Sequence, residues 1–237
     1  MNFSYAEKQV LKDINISIEK NETIAFVGES GSGKTTLMNL LTGLIKPSQG
    51  QISIDGVDYK EIDIRTLQRR IGYITQEPVI FTDTIYNNVT FWDLPTEENK
   101  LRFADALKKA AIYDFIDELS QKEQTLLGSN GVNLSGGQRQ RLSIARELYK
   151  EVDFLMMDEA TSALDSETER AIQNHIDKLK GQYTILIIAH RLSTVKNADR
   201  IVLLKNGMVE GVGSFEQLIN SSDEFKRMVS LQDFALN

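Results

Sequence analysis

Gly28-Glu29-Ser30-Gly31-Ser32-Gly33-Lys34-Thr35 is the stretch on which the fold turns. It fits the pattern G-x-x-x-x-G-K-[ST], a backbone cradle for phosphate. Three glycines let the chain wrap an anion closely, so that successive N–H groups point inward. The apolar run Thr23 to Val27 precedes it as a strand. Leu37, Leu40, Leu41 and Leu44 follow at helical spacing, and Gly43 and Pro47 mark the stop. A helix opening near Lys34 adds its positive dipole end to the cradle. Lys34 can reach the β- and γ-phosphates, and the Thr35 hydroxyl can ligate Mg²⁺. The nucleotide-contacting stretch is expected to run from Gly28 through Thr36. The competing reading is a plain glycine-rich turn before a helix. The four fixed positions arise by chance in roughly 1% of chains this long, and the strand and helix on either side favour the phosphate cradle.

Outward from this loop, short strands dominate. Ile14, Ile16 and Ile18 alternate with polar residues, predicting a strand with one buried face. Gln51 to Ile54 alternates again, Asp55-Gly56 predicts a hairpin toward Val57, and Arg70 to Thr75 predicts another strand. From about Asn87 to Lys150 the pattern turns helical, with Leu101, Ala104, Leu107 and Ala111 as one apolar stripe. Phe154 to Met157 and Thr184 to Ala189 are continuous apolar runs, as in strands buried on both faces. Ile172, His175, Ile176 and Leu179 form a helix face between them, so strand, helix and strand imply a parallel βαβ unit. Asn206-Gly207 predicts a second hairpin, and Ser214 with Gln217 a capping box. This pattern divides the chain into an α/β core, 1–86 with 151–237, and a helical insertion, 87–150.

Composition narrows the function. The chain has 237 residues, 41% hydrophobic and 26% charged, with a net charge of −7. That balance supports a packed core and disfavours nucleic acid as a partner, because phosphate backbones select basic surfaces. The chain has no cysteine, which excludes disulfides and thiolate metal sites. No apolar stretch is long enough to cross a bilayer, and no signal peptide is visible at the start.

Two acids, Asp158 and Glu159, close the apolar run 154–157. In open α/β sheets ligands sit beyond the carboxyl ends of the strands, where the cradle also lies. One acid can hold Mg²⁺ and the other can orient and deprotonate water; Asp158 is assigned to the metal and Glu159 to the water. His190 ends the run 184–189 and is expected at the same edge, hydrogen-bonding the γ-phosphate. His175, among Ile172, Ile176 and Leu179, reads as a partly buried structural histidine.

Leu134-Ser135-Gly136-Gly137-Gln138 is a second glycine-rich helix start, with Ser135 as a cap. A simple capped helix explains these residues almost as well as anion binding does. Followed by Arg139-Gln140-Arg141, however, the motif resembles the signature of ATP-binding cassette (ABC) ATPases. Tyr5 matches that family's adenine-stacking aromatic, Gln76 its Q-loop glutamine, Ser162-Ala163-Leu164-Asp165 its D-loop and His190 its switch histidine. The resemblance spans essentially the whole chain. It implies a P-loop NTPase α/β core with a mixed sheet, an N-terminal antiparallel β subdomain and an inserted α-helical subdomain. It also implies ATP and Mg²⁺, with Thr35, Gln76 and Asp158 on the metal and Glu159, His190 and Gln76 in hydrolysis. In that family two ATP molecules are held in a head-to-tail dimer, so Ser135, Gly136, Gly137 and Gln138 would serve the partner's phosphate.

Gln76-Glu77-Pro78-Val79-Ile80-Phe81, Glu159 to Asp165 and His190 to Thr194 are similar to exporter sequences. An exporter motor implies a membrane-spanning domain as partner, received around Glu77 to Tyr86 and on the inserted helices, and a place on the cytoplasmic face of a membrane. The abrupt start fits a domain cut from a longer chain, soluble by itself. One departure is Gly128-Ser129-Asn130-Gly131, where exporters often carry an acidic residue. An importer's ATPase subunit and a soluble non-transport ABC ATPase are the alternatives. The transported substrate is not legible here, and a single complete motif set favours a homodimer.

Overall fold

The computed structural model describes residues 1–158, 166–189 and 195–234. Its centre is a six-stranded sheet. In chain order the strands are β3 (Thr23–Val27), β6 (Ile71–Ile74), β7 (Phe154–Asp158), β8 (Thr184–Ile188), β9 (Arg200–Lys205) and β10 (Met208–Gly213). They lie in the order β10-β9-β3-β8-β7-β6. All neighbours are parallel except β10, which returns antiparallel along β9. The return is made at Asn206-Gly207, whose φ values of 50° and 77° are those of a type I′ turn. The mixed α/β sheet predicted above is therefore present.

Strands β3 and β8 are buried along their whole length, as two-sided burial requires. Their side chains sort strictly by period two. Ala25, Val27, Leu155, Met157, Ile185 and Ile187 join a core on one face. Ile24, Phe26, Met156, Leu186 and Ile188 join a second core on the other. Truncating a fully buried Ile or Leu of these to Ala costs about 2–5 kcal/mol.

The first core is covered by helices: α3 (Ile85–Thr90), α4 (Glu97–Lys109), α5 (Tyr113–Asp117), α6 (Gly136–Tyr149), α7 (Ser166–Leu179), α8 (Phe215–Ser221) and α9 (Asp223–Phe234). The second is covered by α1 (Lys34–Leu41), α2 (Ile64–Arg69) and two separate hairpins. These are β1 (Phe3–Tyr5) with β2 (Lys8–Leu11), and β4 (Ser53–Ile54) with β5 (Val57–Asp58), both antiparallel. Asp55 and Gly56, at φ 50° and 82°, make the predicted turn of the latter. Between β7 and β8, which pair in parallel, runs α7, and Ile172, Ile176 and Leu179 are buried. Ser214 and Gln217 close the predicted capping box on α8.

Three expectations change. Residues 14–18 alternate in burial but form no strand; Ile14 exchanges backbone bonds with Met1, and the pairing does not extend into a ladder. Leu44 lies beyond the end of α1 and is 64% exposed. On α4 the buried face is Phe103, Ala106 and Leu107, continuing to Ala110, whereas Leu101 is 73% exposed. The helix is rotated from the predicted stripe so that its one aromatic, Phe103, reaches the ring of Tyr86 at 5.1 Å. Among the described residues no helix is long and apolar enough to cross a membrane.

Candidate functional site

Strand β3 delivers its chain into the glycine-rich turn, and α1 begins at Lys34. Gly28, Gly31 and Gly33 have φ of 151°, 79° and 103°. At Gly28 a Cβ would stand 2.2 Å from the Leu204 carbonyl oxygen, so the loop can pass β9 only as glycine. The Lys34 ammonium, 6% exposed, donates to the carbonyls of Gly28 at 2.8 Å and Glu29 at 3.0 Å. It thus bridges the loop from inside. Ser32 Oγ is buried with no hydrogen-bond partner among the described residues. It lies 2.7 Å from where a Cβ on Gly28 would be. A buried cation beside a buried hydroxyl inside one loop suits a polyanion, since a buried hydroxyl without a partner costs free energy. Glu29, Ser30, Gly31 and Thr35 are exposed, and Thr36 is half-buried.

Parallel pairing brings the other predicted residues to the same edge. Phe26 pairs with Ile188, Ile188 with Asp158, and Met157 with Ile74. Gly28, Asp158 and Gln76 therefore all leave the sheet at its carboxyl end, Asp158 and Gln76 from neighbouring strands and Gly28 from the strand beyond β8. Asp158 is half-buried and accepts from the Tyr73 hydroxyl at 3.2 Å. Burial first, then the neighbouring carboxylate, holds the Tyr73 phenol well above its usual pKa, so it stays a donor. Gln76 is exposed. Among the described residues no cluster of three acids or histidines could hold a metal by itself. A hydroxyl, an amide and one carboxylate are hard oxygen donors, the set a Mg²⁺ uses when it keeps waters and phosphate oxygens. Glu159, the 162–165 motif and His190 lie outside the described residues.

Ser135 caps α6. Its hydroxyl accepts from the Gln138 N–H at 3.2 Å, and Gln138 Oε1 accepts from the Ser135 N–H at 2.8 Å. Gly136 and Gly137 leave the helix start without side chains. Among the described residues no hydrogen bond joins 134–138 to 28–36. Tyr5 is 49% exposed and meets Phe3 edge-on at 4.7 Å. Its hairpin is seated on the phosphate loop through Leu11, which packs against Gly33, and on the β9–β10 turn, where Lys12 N–H donates to the Gly207 carbonyl at 2.7 Å.

Sequence reasoning missed the residues that tie α6 to this edge. Gln140, fully buried, donates to the Thr75 carbonyl at 3.3 Å, next to Gln76. Glu147 accepts from the Tyr73 N–H at 3.3 Å and pairs with Lys150 at 2.7 Å. Arg146 donates to the Asn88 and Val79 carbonyls, both at 2.7 Å, beneath the rings of Phe81 and Phe91. Asn88 is fully buried and bonds both the N–H and the carbonyl of Phe81. The available signal was three polar residues interrupting the apolar face Leu142, Ala145, Leu148, since long polar side chains among apolar ones need partners.

The description "ABC transporter" is that of the family model matching residues 11–162. An ATP-dependent lipid A-core flippase of Francisella tularensis subsp. holarctica is 43% identical over 96% of this chain, which spans 37% of that protein. ATP-binding cassette sub-family B member 5 of Mus musculus is 44% identical over 94% of this chain and 18% of its own length. A solved bacterial Atm1-family ABC exporter with ATP bound superposes with a TM-score of 0.87 at 35% identity, over 98% of this chain and 40% of that one. The chain thus spans 18–40% of the length of these curated relatives. With the phosphate loop, the strand-end aspartate and the capped signature helix in that family's order, the chain belongs to the ABC transporter family, as an ATP-binding domain.

Proposed function

We propose that this chain is the ATP-hydrolysing motor domain of an ABC exporter, acting at the cytoplasmic face of a membrane with a membrane-spanning domain as partner. The observation that carries it is the single sheet edge at which the phosphate loop, Asp158 and Gln76 emerge together. The exporter assignment over an importer subunit is supported by the named relatives, an exporter and a flippase among them. We read 1–86 with 151–237 as the core and 87–150 as the helical subdomain.

The glycine-rich backbone and Lys34 bind and orient the β- and γ-phosphates, and the exposed Tyr5 face takes the adenine. Thr35, Gln76 and Asp158 would hold Mg²⁺, which when bound offsets charge on the phosphate oxygens. Glu159 takes a proton from water as its oxygen bonds the γ-phosphorus, and the bond to the β–γ bridging oxygen breaks toward ADP. His190 donates to the γ-phosphate, and Gln76 acts in hydrolysis beside the metal. The signature helix start, with its bare Gly136 and Gly137, serves a second copy arranged head to tail. Two ATP molecules are then buried between two chains, and closure is biased by the γ-phosphate.

Sedimentation of Glu159→Gln with and without Mg-ATP, with bound nucleotide counted, tests this reading. A nucleotide-dependent dimer with two ATP and no turnover is expected. A monomer holding one ATP at all concentrations would sink the two-chain site.

A further inference from the structure

We propose that Tyr73 is a positioning residue for Asp158, its hydroxyl setting the orientation in which the carboxylate faces the nucleotide edge. The inference rests on the reading above that Asp158 serves the metal side of the site. Tyr73 on β6 stands opposite Met156 on β7. Asp158 is two residues beyond Met156, so all three side chains share one face of the sheet. The phenol spans the diagonal to the next position and donates to Asp158 Oδ2 at 3.2 Å. A carboxylate at a strand end turns broadly about its last torsion, and a fixed donor on one oxygen removes that freedom. Only a side chain with a polar tip at this length makes the contact, since the ring itself packs into the second core.

Tyr73 is itself held. Its N–H donates to Glu147 Oε2 at 3.3 Å, and the Glu147 carboxylate is anchored by Lys150 at 2.7 Å. Two residues on, the Thr75 carbonyl is gripped by Gln140 of the same helix at 3.3 Å. Helix α6, whose start carries the signature, thus fixes the strand that carries the donor. The tyrosine is to Asp158 what an outer-shell partner is to a metal ligand.

The test compares the 237-residue chain with Tyr73→Phe, which keeps the ring and removes only the donor. Binding of a fluorescent ATP analogue is measured with Mn²⁺ and with a chelator, and bound Mn²⁺ is followed by electron paramagnetic resonance. The expected result is a Mn²⁺-dependent gain in affinity about 10-fold smaller in Tyr73→Phe, with an altered Mn²⁺ spectrum and metal-free affinity within about twofold. An unchanged gain and spectrum overturn the proposal. So does an equal loss with and without metal, which would make the hydroxyl a packing contact. A wild-type chain that gains nothing from Mn²⁺ overturns the assignment of Asp158 to the metal, and this inference with it.

Discussion

Leu11 Cδ2 lies 2.6 Å from the point a Cβ on Gly33 would occupy, and Gly33 sits at φ +103°. The second strand of the N-terminal hairpin therefore closes the phosphate loop from outside. Gly33→Ala must both strain the backbone and push Leu11, which is fully buried, so about 2–4 kcal/mol of stability should be lost. Gly31, at φ +79°, has nothing within 4 Å of its Cβ position. Gly31→Ala should cost only the backbone term, about 1–2 kcal/mol. Thermal melts and binding of a fluorescent ATP analogue separate the two. Equal losses would show that Leu11 does not support the loop.

What the sequence made legible was periodic or local. The loop 28–35, the βαβ unit, both I′ turns and the capping box each depend on neighbours a few residues apart, and all stand where predicted. The failures depend on partners far along the chain. The alternation of residues 14–18 signals one-sided burial, which those residues have, but a strand also needs a ladder, and the pairing of Ile14 with Met1 is not continued along the segment. Leu101 matched a helical stripe, yet the phase of α4 is set by where Tyr86 and the core lie. Arg146 and Asn88 are 58 residues apart, and no spacing rule joins them. The site's motifs could be proposed from the sequence; how α6 is fastened to the strand ahead of Gln76 could not.

Arg146 offers a direct measure of that fastening. It is 5% exposed, and burial holds its pKa below the ordinary value, although a guanidinium stays charged. Arg146→Ala would strand the Val79 and Asn88 carbonyls and remove the cation from the faces of Phe81 and Phe91. A loss of about 3–5 kcal/mol is expected in denaturant unfolding. Arg146→Lys keeps the charge but not the fork, and should recover less than half of it. Full recovery by lysine would mean that charge alone holds this segment.

His175 should titrate low. Burial first, then Lys178 and Arg141, favour its neutral form and hold its pKa below 6.5. The unfolded chain then binds the proton at higher pH than the folded one. Stability from this residue is full above pH 6.5 and is lost as pH falls through the folded pKa. The chain has two histidines, so His175→Gln assigns its imidazole signal by disappearance. The measured midpoint should lie below 6.5 and rise in Lys178→Gln. A midpoint at or above 6.5 would place this imidazole in water.

Ser135 separates a helix cap from a shared nucleotide site. Within one chain its hydroxyl does structural work, accepting from the Gln138 N–H at 3.2 Å while Gln138 returns the bond. Ser135→Ala removes half of that box and should lower stability by about 1 kcal/mol. If capping were its whole role, ATP hydrolysis at a temperature well below unfolding would be nearly unchanged. If α6 also offers its start to a partner's γ-phosphate, ATP affinity of the monomer stays as it was, because the phosphate loop of the same chain supplies that binding. Nucleotide-driven dimerisation, and with it turnover at high protein concentration, should then fall by 10-fold or more, as removal of one preorganised donor to a transferring group does. Sedimentation and steady-state hydrolysis on the same samples decide it. Normal turnover with the expected small stability loss would return Ser135 to an ordinary cap and leave the head-to-tail pair without its second half.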